Sequence, residues 1–380
     1  MNGNESIDTE LGFADVPESE RTRHVHKLHP YLGKFIPQLA EHFLKENFKA
    51  GDWIFDPFMG SGTTLIQANE LGIHSIGCDI LEFNCKIVRT KSKVYDLDAV
   101  EIEIQSALDR VKAFSSERLN PDRNESPGAP KDFHTESEYL KTWFAERALQ
   151  EMLFYRSIIP DYEHQDLLMI VLSRAARSSR LVAHFDIAAP RAPMREPYYC
   201  YKHNRTCKPI QQCLKFLRKY SKDSLLRLRE FEKVRTAAEI HVISADARSL
   251  GLEHKLDGIF TSPPYAGAID YHQQHIYAYE LFDIERREEQ EIGPKIGGRS
   301  KKARDEYVSE IARALRNAKR FLKPNAPIFI VAHDSFNLYP SIAERSGLKI
   351  KDEYQRAVTS RTERETRPYN ESIFTMVDGD

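Results

Sequence analysis

The chain has 380 residues, enough for two domains or for one large α/β domain carrying an insertion. With 41% hydrophobic and 29% charged residues it can build a core, and no apolar run approaches the length of a membrane span. Its 55 basic and 57 acidic residues nearly cancel, so any nucleic-acid contact must come from local clusters, and five cysteines, an odd count, read as reduced thiols of a cytoplasmic protein.

Residues 1–20 are polar and acidic and read as a mobile tail. The run His29-Pro30-Tyr31-Leu32-Gly33-Lys34-Phe35-Ile36-Pro37-Gln38 leads into an amphipathic helix through Leu39, Phe43 and Leu44. Gly51-Asp52 turns into an apolar strand, Trp53-Ile54-Phe55. Its exit, Asp56-Pro57-Phe58-Met59-Gly60-Ser61-Gly62-Thr63, opens a helix over 63–71 that Gly72 ends. A second strand over 75–79 finishes in Asp79, completing a right-handed βαβ unit, and another helix starts near Glu82. Residues 101–239 differ: helical periodicity dominates, as over 139–158 and 167–176, with a Ser/Pro/Gly-rich loop over 115–130. Strand patterns resume over 240–246, which ends in Asp246, and over 256–260, which runs into Thr261-Ser262-Pro263-Pro264-Tyr265. A helix over 307–322, a buried strand over 327–331, and strands over 348–350 and 372–377 close the chain. The expected architecture is α/β, a doubly wound mixed sheet formed by 21–100 and 240–380 and interrupted by a mostly helical insertion, 101–239.

Two runs carry the chemistry. Turns at the carboxyl ends of parallel strands are where open α/β sheets bind ligands. Gly60 and Gly62 lack a Cβ, which permits a sharp turn and close approach of a ligand. The helix opening at Thr63 presents unpaired N–H groups to a carboxylate. Asp79 is placed for ribose hydroxyls and Asp246 for an adenine amino group. The spacing is not that of a dinucleotide fingerprint, and no lysine follows to make a phosphate loop. By itself such a glycine turn is as often purely structural. The diproline turn is stiff and leaves the Pro263 carbonyl unshared, since prolines have no N–H. Ser262 adds a side-chain oxygen and Tyr265 a flat face for a base rotated out of its duplex. Pro-Pro-Tyr alone is usually an ordinary loop. Its position after a strand and downstream of the glycine turn argues otherwise. Asp270 and Tyr271 either bound the base pocket or begin a packed helix, the reading preferred.

Between Arg174 and Arg235 stand 16 lysines and arginines against 5 acids, interleaved with Tyr198, Tyr199, Tyr201 and Tyr220. That bias suits phosphate contacts and base stacking and marks the insertion as the target-recognition region, with Arg191, Arg195, Lys202 and Arg205 as contacts. A second basic segment, 293–304, contributes Lys295 and Arg299, and Arg361, Arg364 and Arg367 form a smaller cluster. Cys200-x2-His203-x3-Cys207-x5-Cys213 places four soft ligands within fourteen residues, in a spacing of no common zinc module. Buried thiols and a packed histidine are the preferred reading, so no metal is expected.

Asp56 to Thr63, read as Asp-Pro-Phe-x-Gly-Ser-Gly-Thr, together with Gly33-Lys34-Phe35-Ile36-Pro37 and Ser262-Pro263-Pro264-Tyr265, resembles the motifs of S-adenosylmethionine-dependent DNA amino-methyltransferases. The resemblance spans 29–80 and 240–377. It implies a Rossmann-like methyltransferase sheet and S-adenosylmethionine held by Phe35, Pro37, Asp56, Pro57, Phe58, Gly60, Gly62, Thr63, Asp79 and Asp246. It also implies catalysis by Ser262, Pro263, Pro264 and Tyr265 on double-stranded DNA, with a companion restriction endonuclease as partner and the prokaryotic nucleoid as workplace. In that family Ser before the diproline is similar to cytosine-N4 enzymes, whereas Asp or Asn there is similar to adenine-N6 enzymes. Adenine N6, an RNA or tRNA amine, and a non-catalytic nucleic-acid binder on the same fold are the rival expectations.

Overall fold

The computed structural model describes residues 10–13, 15–118, 133–187, 190–267, 269–294, 298, 300–358 and 369–379. Nine strands are described: β1 (Trp53–Asp56), β2 (His74–Asp79), β3 (Tyr198–Cys200), β4 (Arg205–Cys207), β5 (Ile240–Ser244), β6 (Gly258–Thr261), β7 (Ile328–Ala332), β8 (Leu348–Val358) and β9 (Tyr369–Asp378). Seven form one sheet in the order β5-β2-β1-β6-β7-β9-β8, and β3 and β4 form a separate hairpin. The strands from β5 to β7 in that order pair in parallel, while β9 runs antiparallel to both β7 and β8. The expected doubly wound mixed sheet is what forms.

Alternation along the strands divides the core. Ile54, Phe260, Phe329, Val331 and Ile373 face a layer completed by Leu39, Phe43 and Phe48. Phe55, Ile259, Ile328, Ile330 and Phe374 face the opposite layer, with Ile311 and Leu315 from the helix Lys301–Lys319. Side chains on successive residues point to opposite faces, so the central strands β1, β6 and β7, covered on both sides, read as largely apolar runs, whereas the edge strand β5 is half-buried. Gly258 opens β6 because a Cβ there would lie 2.5 Å from the Phe48 ring and 2.7 Å from the Pro327 carbonyl.

The insertion is helical as expected, but it is not a separate body. Its helices Leu97–Arg118, Glu146–Ile158, Gln165–Ser179 and Leu214–Glu232 share one apolar cluster with Val25, Leu28, Phe83, Ile87, Tyr277, Tyr279 and Leu281 of the sheet-bearing half. Three expectations shift in detail. The helix expected over 139–158 is two, Glu138–Trp143 and Glu146–Ile158, because Phe144 and Ala145 are extended. The helix expected over 307–322 starts at Lys301, where Ser300 accepts a hydrogen bond from the Ala303 amide at 3.2 Å. The tail expected over 1–20 is anchored from its middle, since Leu11 is buried against Phe35 and Leu39. Residues 1–9 lie outside the described residues.

Candidate active site

The order β5-β2-β1 to one side and β6-β7 to the other makes the gap between β1 and β6 the point where strand order reverses. Ligands in open α/β sheets bind outside the carboxyl ends of strands at such a point. Both chemistry-bearing runs leave the sheet there, the glycine turn from β1 and the diproline turn from β6. One side chain joins them. Asp56, at the end of β1, accepts a hydrogen bond from the Thr261 hydroxyl at 2.6 Å and from the Phe58 amide at 3.1 Å. Burial pushes its carboxyl up to about 6, against the hydrogen bonds from Thr261, Thr64 and Phe58. Thr261→Val is expected to leave this carboxyl short of a partner and to lower stability by about 1–3 kcal/mol. Thermal denaturation at pH 7 measures it, and an unchanged midpoint would show that Asp56 does not couple the two turns.

The glycine turn is shaped by backbone demands. Gly60 and Gly62 have φ of +46° and +76°. A Cβ on Gly60 would come within 2.9 Å of the Tyr31 hydroxyl, and one on Gly62 within 2.8 Å of Val88. The Gly60 amide donates to Asp79 Oδ2 at 3.0 Å, Asn84 Nδ2 to the same oxygen at 3.1 Å, and the Leu81 amide to Oδ1 at 2.8 Å. Burial nevertheless pushes the Asp79 carboxyl up to about 7. Behind the turn, the fully buried Lys91 donates to the Ser61 carbonyl at 2.5 Å. Burial and the nearby Lys34 hold its ammonium well below the usual lysine range.

The diproline turn is braced by the helix Lys301–Lys319 and by β8 and β9. The Tyr307 hydroxyl donates to the Pro264 carbonyl at 2.9 Å. The Tyr265 hydroxyl donates to Glu371 at 2.6 Å, and the same buried carboxylate takes the Arg356 guanidinium. Ser262 makes no side-chain hydrogen bond among the described residues, so its hydroxyl stays available to a ligand.

The two turns line one cleft of about 810 Å³, its open mouth included. Of the residues expected to hold cofactor, Phe35, Asp56, Pro57, Phe58, Gly60, Thr63, Asp79 and Asp246 line it, and from the diproline turn Ser262 and Pro264. Others are set back. Gly62 turns the chain behind the cleft, and Pro37 is buried at the first position of the helix Pro37–Asn47. Pro263 is buried in the turn itself. Tyr265 lines a second cavity of about 330 Å³ with His333, Tyr307 and Tyr339, its ring 6.1 Å from that of His333. Asp246 is less free than expected: Arg248 grips both its oxygens, at 2.8 and 2.6 Å. Burial raises the Asp246 carboxyl, but Arg248 outweighs it and holds the group below the usual range.

Of the lining residues Tyr31 and Glu291 had no role assigned from sequence, whereas Tyr271 was read as a pocket wall or a helix start. Tyr31 covers Gly60, Tyr271 lines the cleft while also opening a short helix, and Glu291 accepts from the amides of Tyr271 and His272. In the insertion, Arg191, Arg195, Lys202 and Arg205 are exposed, as are Tyr199 and Tyr201. Part of the basic excess is internal, however. Arg174 is buried and paired with Asp223 at 2.5 Å, and buried Arg180 lies over the Tyr277 ring. Lys295, Arg299, Arg361, Arg364 and Arg367 lie outside the described residues. Cys200, His203 and Cys207 come together, but Cys213 does not join them. It heads the helix Leu214–Glu232, its amide bonded to Glu151 at 2.6 Å.

A family model described as DNA methylase, covering N6 and N4 enzymes, matches residues 10–90. The Type II methyltransferase M.MjaII of Methanocaldococcus jannaschii is 41% identical over 97% of this chain and 83% of its own length. The chain belongs to the Type II DNA methyltransferases. Shorter matches join it to M.BsoBI of Geobacillus stearothermophilus, 33% identical over 23% of this chain and 17% of that one. M.MvaI of Kocuria varians is 24% identical over 46% of this chain and 37% of its own. Among solved structures, the rRNA methyltransferase AviRa of Streptomyces viridochromogenes overlaps 96% of this chain and 93% of its own at 11% identity, with a TM-score of 0.36.

As a DNA amino-methyltransferase of the Type II family, the protein acts on double-stranded DNA with S-adenosylmethionine as cofactor. The cleft has features suited to that cofactor. Among the described residues Ser61 Oγ is buried there without a hydrogen-bond partner, and Asp79 offers a carboxylate. No helix among the described residues is long and apolar enough to cross a membrane.

Proposed function

We propose that this chain methylates the exocyclic N4 of a cytosine rotated out of duplex DNA. One observation carries the reading: serine opens the diproline turn, and Ser262 lines the same cleft as the glycine turn. An exocyclic amine is a poor nucleophile because its lone pair is conjugated into the ring. Two fixed acceptors, the Ser262 hydroxyl and the Pro263 carbonyl, take its two N–H hydrogens and draw the nitrogen toward tetrahedral geometry. Groups preorganised in this way contribute through orientation and electrostatics, about 10²–10³ in rate for one acceptor or donor. The bound cofactor supplies an electrophilic methyl on a sulfonium; in the proposed arrangement Phe35, Gly60, Ser61 and Asp79 hold it, with Pro57, Phe58 and Thr63 around it. Serine is too weak a base to take the amine proton, which leaves to solvent after transfer. No cysteine nucleophile is needed, because the acceptor is nitrogen and no ring carbon is attacked. The rings of Tyr265 and His333 form the wall for the base, and Glu371 with Arg356 holds Tyr265 in place. Enzymatic digestion of the methylated duplex and mass spectrometry of its nucleosides test the reading. N4-methyldeoxycytidine is expected; N6-methyldeoxyadenosine would overturn the choice of base.

Target binding falls in this proposal to the exposed face of the insertion. Arg191, Arg195, Lys202 and Arg205 contact phosphates, and Tyr199 and Tyr201 offer stacking surfaces. Each phosphate contact releases about 0.9 of a counterion. Neutralising Arg191, Arg195 and Arg205 together is expected to lower the slope of log affinity against log salt by about 3. Filter binding or anisotropy across a salt series checks it, and an unchanged slope would move the DNA to another face. A companion restriction endonuclease completes the proposal, with this methylation blocking its cleavage.

A further inference from the structure

We infer that His184, Cys200, His203 and Cys207 form a structural zinc site that organises the β3–β4 hairpin. One ligand atom from each residue lies within 4.8 Å of every other. The Cys200 and Cys207 sulfurs stand 3.6 and 3.5 Å from His203 Nδ1. Tetrahedral zinc with Zn–S of about 2.3 Å and Zn–N of about 2.0 Å requires S···N edges of about 3.5 Å. The two separations from His203 match those edges, and the remaining ones lie within 4.8 Å. The His184 and His203 rings are 4.7 Å apart, and His184 Nδ1 is buried without a hydrogen-bond partner among the described residues. Both thiols are free of disulfides and buried, although the surrounding hairpin is largely exposed.

The local structure has reason to hold a metal. Strands of three residues each make a hairpin too small to be stable by pairing alone. Its further support includes Phe185 stacked 4.3 Å from the Tyr201 ring and the His184 amide donating to the Tyr198 hydroxyl at 3.0 Å. Metal binding supplies folding free energy to such small units. A contrasting group, His24, His26 and Glu70, already holds a cation, because the Arg23 guanidinium sits 2.6 Å from Glu70. Among the described residues no ion pair to a Lys or Arg involves a ligand side chain of the cluster around His203, the Lys202 ammonium donating instead to the His184 carbonyl at 3.4 Å.

Zinc here would tie the loop carrying His184 to a hairpin whose outer side presents Tyr199, Tyr201, Lys202 and Arg205. Its bearing on DNA rests on the proposed target-binding role of that face; the metal site does not. Elemental analysis of the full chain, purified without chelator from zinc-supplemented cells, is expected to find about one zinc per chain. Cobalt exchanged into the site should give the intense visible bands of tetrahedral, thiolate-bound Co²⁺. Cys200→Ser, Cys207→Ser and His184→Ala are each expected to lose the metal, and Cys213→Ala to keep it. Zinc-free wild-type protein, or loss in Cys213→Ala with retention in His184→Ala, would overturn the assignment. Removing zinc should weaken DNA binding at least tenfold while cofactor affinity stays unchanged. Zinc bound as described, with DNA affinity indifferent to it, would leave the metal site standing and remove the hairpin from the DNA contact.

Discussion

Ser262→Ala is expected to lower the rate of methyl transfer about a hundredfold while changing S-adenosylmethionine affinity by less than about threefold. Ser262 follows β6 directly, lines the cleft, and has no side-chain partner among the described residues whose loss would disturb the fold. Its removal therefore deletes an acceptor for the substrate amine and little else. The Pro263 carbonyl remains, because the backbone turn is braced independently by Tyr307 on Pro264 and Glu371 on Tyr265. Ser262→Asn, which keeps an oxygen acceptor, should recover part of the rate. Single-turnover kinetics with pre-bound cofactor separates the two parameters. An unchanged rate, or a loss confined to cofactor affinity, would remove Ser262 from the chemistry.

Cofactor affinity is expected to rise with pH up to about 7 and then level off, with Asp79 responsible. Burial raises this carboxyl to about 7, so below that pH the cleft holds a proton in place of an acceptor charge. Three protein donors already occupy Asp79, leaving about one of its roughly four lone-pair sites for a ribose hydroxyl. Binding favours the carboxylate, so it should release a proton near neutrality, and affinity should fall by up to about tenfold per pH unit below 7. Calorimetry in buffers of different ionisation enthalpy reads the proton directly. Asp79→Asn should abolish the pH dependence and weaken binding about 10- to 100-fold, the loss of one charge-assisted hydrogen bond. The same shift bears on stability. Between about pH 4 and 7 the folded chain keeps protons on Asp79 and Asp56 that the unfolded chain has lost. Stability of the cofactor-free protein therefore falls as pH rises through that window, and bound cofactor should offset the fall.

The features legible in the sequence were those enforced locally. Gly60 and Gly62 announce positive φ, Pro263 and Pro264 announce a stiff turn, and each follows a short apolar run that can only be a buried strand. The doubly wound class of the sheet followed from the alternation of such strands with helices, but its strand order did not. What escaped was contact across long chain separations. Tyr307 reaches Pro264 over 43 residues, and Glu371 reaches Tyr265 over 106. Neither partner carries a local sign of its role. Charge counting also misread part of the insertion, since it cannot separate exposed Arg205 from buried Arg174. Sequence spacing likewise grouped Cys213 with Cys200, His203 and Cys207, although the fold brings His184 beside those three instead. Cys213 was the nearest fourth ligand in sequence but begins an apolar helix, whereas His184 arrives from a loop upstream of the hairpin.

In the proposed mechanism one cleft between β1 and β6 brings the methyl donor to the base amine. A crystal structure with S-adenosylhomocysteine tests it most directly. The ribose is expected on Asp79, the homocysteine end beside Gly60 and Ser61, and the sulfur directed at Ser262 and Pro263. The product bound elsewhere, or in the cleft with its sulfur turned away from that turn, would contradict it.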